Sequence, residues 1–194
     1  MAVSGDAVKP LSAWHDGDVD AAAVRTAAQA LAAGGLVGLP TETVYGLAAP
    51  AHNRESVARV FAVKSRPLDH PVIVHVAGPG SLADWGEAVP DYTHALAEAL
   101  WPGPLTMVVP AADHVPRYLT GGQDTVGLRC PAHPVALALI EAAGPLAAPS
   151  ANRFGQVSPT TAADVASDIG NRLDPFRDVI LDGGACPVGV ESTI

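Results

Sequence analysis

Leu36-Val37-Gly38-Leu39-Pro40-Thr41-Glu42-Thr43-Val44-Tyr45-Gly46-Leu47 sets an apolar run against a proline and then crowds hydroxyls and a carboxylate just beyond it. A short buried strand that stops at a proline and opens into polar side chains is how α/β proteins build the mouth of a ligand site. Further stretches repeat the pattern. Lys64, Arg66 and Pro67 precede the apolar segment Pro71-Val72-Ile73-Val74-His75, so two cations stand beside a rigid turn. Pro149-Ser150-Ala151-Asn152, with Gly155, Ser158 and Pro159 after it, follows another apolar segment, and Gly189-Val190-Glu191-Ser192-Thr193 closes the sequence. Four polar strand ends in one small chain predict one site assembled from loops.

Outward from that stretch, Asp20 is placed to cap a helix running to about Ala33, where Gly34 and Gly35 supply the exit into the strand over 36–39. Glu55–Val63 reads as the next helix and delivers Lys64 and Arg66 to its C-terminal end, and Val72–Val76 is a strand by its β-branched content. Helices are predicted over Ser81–Trp85 and Tyr92–Leu100, before Trp101-Pro102-Gly103-Pro104 breaks the pattern ahead of a strand over Leu105–Val109. Thr125–Leu128, Leu146–Ala148 and Val179–Leu181 read as strands, Pro134–Ala143 as a helix, and Thr160 as the cap of a helix over Ala162–Ile169. This alternation predicts an α/β fold with a mixed parallel and antiparallel sheet and flanking helices. Residues 1–18 are expected to form a flexible N-terminus.

With 194 residues, 48% of them hydrophobic, the chain can bury one substantial core, and one domain is expected. Aromatics make up only 5%, so that core must be built from Ala, Val, Leu and Ile. Twenty acidic residues against 11 basic ones give a net charge of −9, which opposes non-specific attraction to phosphate backbones; any RNA contact would need a local basic patch. Cys130 and Cys186 are too few for a disulfide scaffold and fit a reducing, cytoplasmic setting. Met1–Pro10 lacks the basic and apolar regions of a secretory peptide. The Ala-rich run 21–33, interrupted by Arg25, Thr26 and Gln29, falls short of the roughly 20 apolar residues that a membrane span requires.

Taken as residues alone, the clusters admit more than one reading. Lys64 and Arg66 suit a phosphate chain, Arg by forking onto two oxygens and Lys as a mobile point charge. Two cations at a helix C-terminus are also what the macrodipole favours. His75 reads first as a satisfied structural histidine at the end of a buried strand. Arg129, between Leu128 and Cys130, is oddly placed for a surface ion pair and reads as facing a specific anion. Ser150-Ala151-Asn152 and Ser158-Pro159-Thr160 fit an ordinary turn and helix cap, or a place where backbone and hydroxyls approach a nucleotide closely. Glu42 is either a general base or a structural carboxylate, and Trp101 reads as core. No Walker-type phosphate loop is present, and the seven His and two Cys lack zinc spacing.

Together with Trp101-Pro102-Gly103-Pro104-Leu105-Thr106 and Thr125-Val126-Gly127-Leu128-Arg129-Cys130-Pro131, these clusters make the chain from about Ala22 to Ile194 resemble the YrdC-like family of threonylcarbamoyl-AMP synthases. The likeness is to the branch that carries a further C-terminal domain. It implies a single YrdC-like domain over 19–194, cut short before its last strand, since family members continue there with a strand and an arginine that reaches the nucleotide. It also implies a reaction: L-threonine, bicarbonate and ATP give threonylcarbamoyl-AMP and pyrophosphate, and the product serves threonylcarbamoyladenosine modification of tRNA. Mg2+ would accompany ATP, with no metal held by the protein. Partners implied are tRNA and the downstream modification enzyme, in the cytoplasm and away from membranes.

The resemblance also distributes roles. Lys64 and Arg66 become the catalytic cations on the phosphates; His70, Thr125, Ser150, Asn152 and Ser158 join them around ATP. Thr43, His75, Arg129 and Ser192 surround threonine, with Arg129 pairing its carboxylate. Two alternatives stay open, a non-catalytic RNA-binding module of the same fold and a carbamoyl-transfer domain like that of hydrogenase maturation proteins. The acidic charge balance stands against the first, and the lack of acylphosphatase and zinc-finger segments against the second.

Overall fold

The computed structural model describes residues 7–194. Its strands are β1 (Pro10–Ser12), β2 (Trp14–His15), β3 (Asp18–Val19), β4 (Val37–Leu39), β5 (Gly46–Pro50), β6 (Ile73–His75), β7 (Met107–Pro110), β8 (Thr125–Arg129), β9 (Leu146–Ala147) and β10 (Val179–Asp182). The helices are α1 (Ala21–Ala32), α2 (Arg54–Lys64), α3 (Ser81–Trp85), α4 (Asp91–Leu100), α5 (Arg117–Thr120), α6 (Pro134–Ala143) and α7 (Ala162–Ile169). Eight strands form one mixed sheet in the order β1-β10-β4-β5-β9-β6-β8-β7, and β2 and β3 pair as a separate hairpin. Parallel pairs are β1 with β10, β10 with β4 and β6 with β8; the other pairs are antiparallel.

Side-chain alternation sorts the sheet into two faces. On one face Leu36, Leu47, Ala49, Ile180, Val74, Val126, Leu128, Met107 and Val109 share a single core with residues of α2 and α7 and with Leu82, Trp85, Trp101 and Leu119. On the other face Val37, Leu39, Ala48, Leu146, Ala148 and Leu181 pack against α1 and α6 through Ala27, Leu31, Val135 and Leu139. That second cover stops at β9. Over β6, β8 and β7 no helix among the described residues lies on this face, and its side chains line a cavity instead.

Local chemistry accounts for the element ends that position the site. Asp20 accepts from the amides of Ala22 and Ala23 at the start of α1. Asn53 caps α2, and Ser65 ends it in the left-handed region at φ 53° before the chain turns into Arg66. The cap of α7 is Thr161, not Thr160: its hydroxyl accepts from the Asp164 amide, and the Asp164 carboxylate accepts back from Thr161. That reciprocal box needs a carboxylate three residues on, which only Thr161 has.

Two other expectations change. Gly46-Leu47-Ala48-Ala49-Pro50, which drew no strand prediction, forms the central strand β5, antiparallel to β4, with Leu47, Ala48 and Ala49 fully buried. Small residues carry little strand propensity of their own, so the pairing partners decide. Within the span expected to be flexible, residues 10–12 pair in register with β10, and β2 and β3 close a hairpin against the start of α1. Three short, largely exposed strands offer no periodic pattern, which hid them. The rest of that expectation, residues 1–6, lies outside the described residues.

Candidate functional site

The cavity, about 380 Å³, has the bare half of the sheet as its floor. Strand register lays that floor out in rows. His75 lies opposite Arg129, and extending the β7–β8 register places Thr106 on the far side of Arg129. The next row is Ile73, Gly127 and Val108, and Thr125 follows on β8. One row is therefore polar and charged, the next apolar. The walls come from the β4–β5 loop (Thr41, Val44), the turn after β9 (Pro149, Ser150), Arg66, and the closing segment (Glu191, Ser192, Ile194). The strand mouth predicted from residues 36–47 supplies a wall, while the face of the sheet supplies the floor.

The walls are tied by hydrogen bonds between loops distant in sequence. Gly46 bridges Ser150, and the Tyr45 amide donates to Pro159 O while Tyr45 O accepts from Ala151 N. The buried Tyr45 hydroxyl donates to Gly184 O at 2.7 Å and accepts from Gly183 N at 3.2 Å. The closing segment is pinned twice: Val188 N and Gly189 N donate to Glu42 O and Thr43 O, and Thr193 N donates to Pro104 O while Thr193 O accepts from Thr106 N.

Of the residues singled out by sequence, Arg66, His75, Thr125, Arg129, Ser150 and Ser192 meet at the cavity. Arg66 donates from Nη2 to Pro71 O at 2.8 Å and lies 5.9 Å from the ring centroids of Phe61 and Phe154; its Nε is buried without a partner. His75 is buried, its Nδ1 unpaired, and burial together with the neighbouring Arg129 guanidinium drives its pKa down to about 3. It is a neutral imidazole at any working pH. Arg129 Nη2 stands 2.7 Å from Glu42 Oε1, close but off the line of a straight hydrogen bond, and its Nε donates to Gly103 O at 3.4 Å. Ser192 Oγ shares a hydrogen bond of 2.7 Å with Thr106 Oγ1.

The others stand behind the walls. Lys64 was expected on phosphate, but it is only 1% exposed, and its Nζ donates to the carbonyls of Ser150 and Asn152, each at 2.5 Å. The helix end carries it inward, where those carbonyls replace water. Burial first, then the charge of Arg66, lowers its pKa to about 8. Asn152 turns its amide back to Arg153 O and Gln156 O, which shapes the turn and keeps it off the cavity surface. Thr43 is fully buried. Thr41 Oγ1 already donates to Val44 O at 2.6 Å, so the 3.0 Å contact between the two hydroxyls carries the Thr43 proton to Thr41. Ser158 Oγ donates to Glu191 Oε1 at 2.6 Å, and His70 packs edge-on to Phe154 at 5.3 Å.

Sequence reasoning missed Thr41, Thr106, Gln123 and Gly127 on the cavity surface. Thr106 and Gly127 were recoverable from strand alternation, because they share a face with Arg129. Glu42, left between general base and structural carboxylate, takes the second part: Oε2 accepts from Ala132 N at 3.1 Å while Oε1 faces Arg129. The thiols of Cys130 and Cys186 are both pushed up by burial to about 11 and stay protonated. Among the described residues no group of three or more His, Cys, Asp or Glu is arranged to hold a metal ion, and no helix is long and apolar enough to cross a membrane.

Comparison with known proteins gives consistent matches. The Sua5/YciO/YrdC family model, described as telomere recombination, matches residues 29–194. A threonylcarbamoyl-AMP synthase of Pyrococcus abyssi is 47% identical over 172 residues, covering 88% of this chain and 49% of the relative. One of Bacillus subtilis is 45% identical, covering 82% and 45%. The crystal structure of P. abyssi Sua5 complexed with L-threonine superposes with a TM-score of 0.89 at 44% identity, over 95% of this chain and 53% of that one. The chain thus spans about half the length of these relatives. With a family model matched over residues 29–194 and close superposition on a solved member, the chain belongs to the Sua5/YciO/YrdC family.

Proposed function

We propose that this chain is the catalytic domain of an L-threonylcarbamoyladenylate synthase, a nucleotidyltransferase that forms threonylcarbamoyl-AMP and pyrophosphate from L-threonine, bicarbonate and ATP for tRNA modification. The observation that carries the reading is a single cavity with an arginine at each end. Arg66 hydrogen-bonds Pro71 just ahead of β6, and Arg129 lies level with His75 at its end, four residues or roughly 13 Å along the strand. Two anions of different ligands can be held apart with their reacting ends between them. The synthase activity for which the relatives are named, and the threonine bound in P. abyssi Sua5, support the same reading.

In this proposal Arg129 receives the threonine carboxylate, with Glu42 behind it fixing the guanidinium. His75, neutral and unpaired, can accept from a ligand N–H or O–H but brings no second positive charge beside Arg129. A carbamate formed on the threonine nitrogen decomposes readily in water, so the apolar row Ile73, Gly127 and Val108 serves by keeping the reacting centre dry. Its oxygen then attacks the α-phosphorus, and the charge moving onto the departing pyrophosphate faces Arg66. Thr125 and Ser150 offer hydroxyls to the nucleotide. Lys64 acts at one remove, holding the Ser150 and Asn152 carbonyls and so the turn that presents the Ser150 hydroxyl.

MgATP is the substrate form, so the protein needs no metal cage of its own. A cytoplasmic setting, with the product handed to a tRNA-modifying enzyme, completes the reading. The test is pyrophosphate release by the purified chain with threonine, bicarbonate and MgATP present or omitted in turn, and mass detection of the adenylate. Release that requires all three supports the proposal; release indifferent to threonine or bicarbonate would overturn it.

A further inference from the structure

Arg66 reaches the cavity with little to hold it. Among the described residues its side chain makes a single hydrogen bond, from Nη2 to the Pro71 carbonyl at 2.8 Å, and no ion pair. Its Nε is buried without a partner, and the rings of Phe61 and Phe154, each 5.9 Å away, flank the guanidinium without fixing its direction. Its aim therefore follows the Pro71 carbonyl. That carbonyl is backed by the turn after α5. Leu119 O accepts from Val72 N at 2.9 Å, and two residues on, Gly121 lies against the 69–71 turn so closely that a Cβ on it would stand 2.4 Å from Asp69 O and 2.8 Å from Pro71 N. Side-chain carbons do not make such contacts, so a residue other than glycine must displace backbone. Leu119 and Thr120 are buried in the core while Asp69 and Pro71 are exposed, so the 69–71 turn is the side that yields. The next residue supplies a contrast. Gly121 and Gly122 both have left-handed backbones, φ 60° and 84°, but a Cβ on Gly122 would meet nothing within 4 Å. Both glycines have a conformational reason to be there, and only the first has a steric one.

From this arrangement we infer that Gly121 is a positioning residue for Arg66: its bare backbone seats the 69–71 turn, and the turn holds the Pro71 carbonyl that aims the guanidinium. The inference rests on the synthase reading, in which Arg66 faces the phosphates, and adds the support that keeps it there. A methyl group at residue 121 would push Asp69 and Pro71 outward and carry the carbonyl away from Arg66. The floor of the cavity and Arg129, at its other end, would stay as they are.

A double-mutant cycle of Gly121→Ala with Arg66→Ala tests it, with Gly122→Ala as control, each protein titrated calorimetrically with MgATP and with L-threonine and melted alone. Gly121→Ala should weaken ATP ~10-fold, since an ångström-scale misplacement of an aimed group costs up to about 100-fold, and leave threonine binding unchanged. In the Arg66→Ala background the same substitution should change ATP binding less than about twofold, because the group it acts through is gone. Gly122→Ala carries the same left-handed strain, so it should melt a few degrees below wild type and bind ATP as wild type does. Pro71→Ala frees the carbonyl from its ring while leaving the turn behind it intact, and should also weaken ATP only when Arg66 is present. An ATP loss that persists without Arg66, an equal loss in Gly122→Ala, or unchanged ATP binding in Gly121→Ala would each overturn the inference alone. So would a Gly121→Ala chain that fails to fold while Pro71→Ala binds ATP normally, which would place the glycine in the fold and not in the site. A wild type that binds no MgATP, or an Arg66→Ala chain that binds it unimpaired, would overturn the reading of Arg66 and this inference with it.

Discussion

One face of the sheet is a helix-packed core over β4, β5 and β9 and a cavity over β6, β8 and β7. The strands on either side of that divide differ in the way their places demand. Leu36-Val37-Gly38-Leu39 is apolar throughout because both of its faces are covered, whereas Thr125-Val126-Gly127-Leu128-Arg129 alternates, Val126 and Leu128 inward to the core and Thr125, Gly127 and Arg129 outward to the cavity. The sheet therefore supplies stability and chemistry from the same backbone. Where α1 and α6 cover it, burial holds the fold together; where they stop, a rigid pleated floor presents side chains two residues apart.

The divide is broken most severely at Arg129. Its guanidinium and the Glu42 carboxylate are both largely buried, so removing one strands the other. Arg129→Ala should lose about 3–5 kcal/mol in urea unfolding as well as threonine binding, because an unpaired charge stays buried. Arg129→Leu combined with Glu42→Gln should recover most of that stability and none of the binding. If the single variant were as stable as wild type, Arg129 would belong to the cavity alone and not also to the support beneath it.

A leucine-to-alanine change on the covered half and a valine-to-alanine change on the bare half sharpen the contrast, because both side chains point the same way from the same sheet. Leu39 is fully buried against α1 and α6, while Val108 is 54% exposed. Leu39→Ala should cost about 2–5 kcal/mol for transfer and cavity together, and Val108→Ala under about 0.5. Equal losses by chemical denaturation would mean that the bare half is covered in solution.

This divide also explains what could be read from sequence. The covered strands β4, β9 and β10, the longer helices and the polar clusters announce themselves through apolar runs, caps and prolines, and they lie where expected. The central strand β5 escaped because Gly, Ala and Pro have no strand preference, and only its partners make it one. Within the site, residue types pointed correctly to Arg66, His75 and Arg129 as members of one cavity, but direction was invisible. Whether Lys64 faces a ligand or two backbone carbonyls depends on the last half-turn of α2, and whether Thr43 or Thr41 reaches the cavity depends on one hydrogen bond to Val44 O. Alternation along β8 carried the missing information about Gly127, and alternation along β7, extended by one residue, that about Thr106; only the register with β6 and between β7 and β8 turns it into rows.

The two cations ahead of β6 separate along the same line, one in the cavity and one behind it. Arg66→Ala should weaken ATP binding about 30-fold, or about 2 kcal/mol for a lost charge-assisted contact, with threonine binding by calorimetry nearly unchanged. Equal losses of both ligands would mean that the two ends of the cavity do not act independently.

Lys64 gives the most diagnostic effect. Its pKa of about 8 in the folded protein lies below the ordinary lysine value of 10.5, chiefly because burial disfavours the charged form. Above both values the amine is neutral in folded and unfolded chains alike and no charge is buried. As pH falls from 10.5 towards 8 the unfolded chain takes up the proton that the folded one still resists, so stability drops, and below about 8 the penalty is fully present. Raising the pH from 8 to 9.5 should therefore stabilise wild type by about 1.5 kcal/mol relative to Lys64→Met, which keeps the length of the side chain and has nothing to titrate. Urea unfolding of the two proteins at both pH values isolates that difference, because every other group is common to both. A pH-independent difference would show that water reaches the amine from the cavity, and Lys64 would then have to be counted among the groups that touch a ligand.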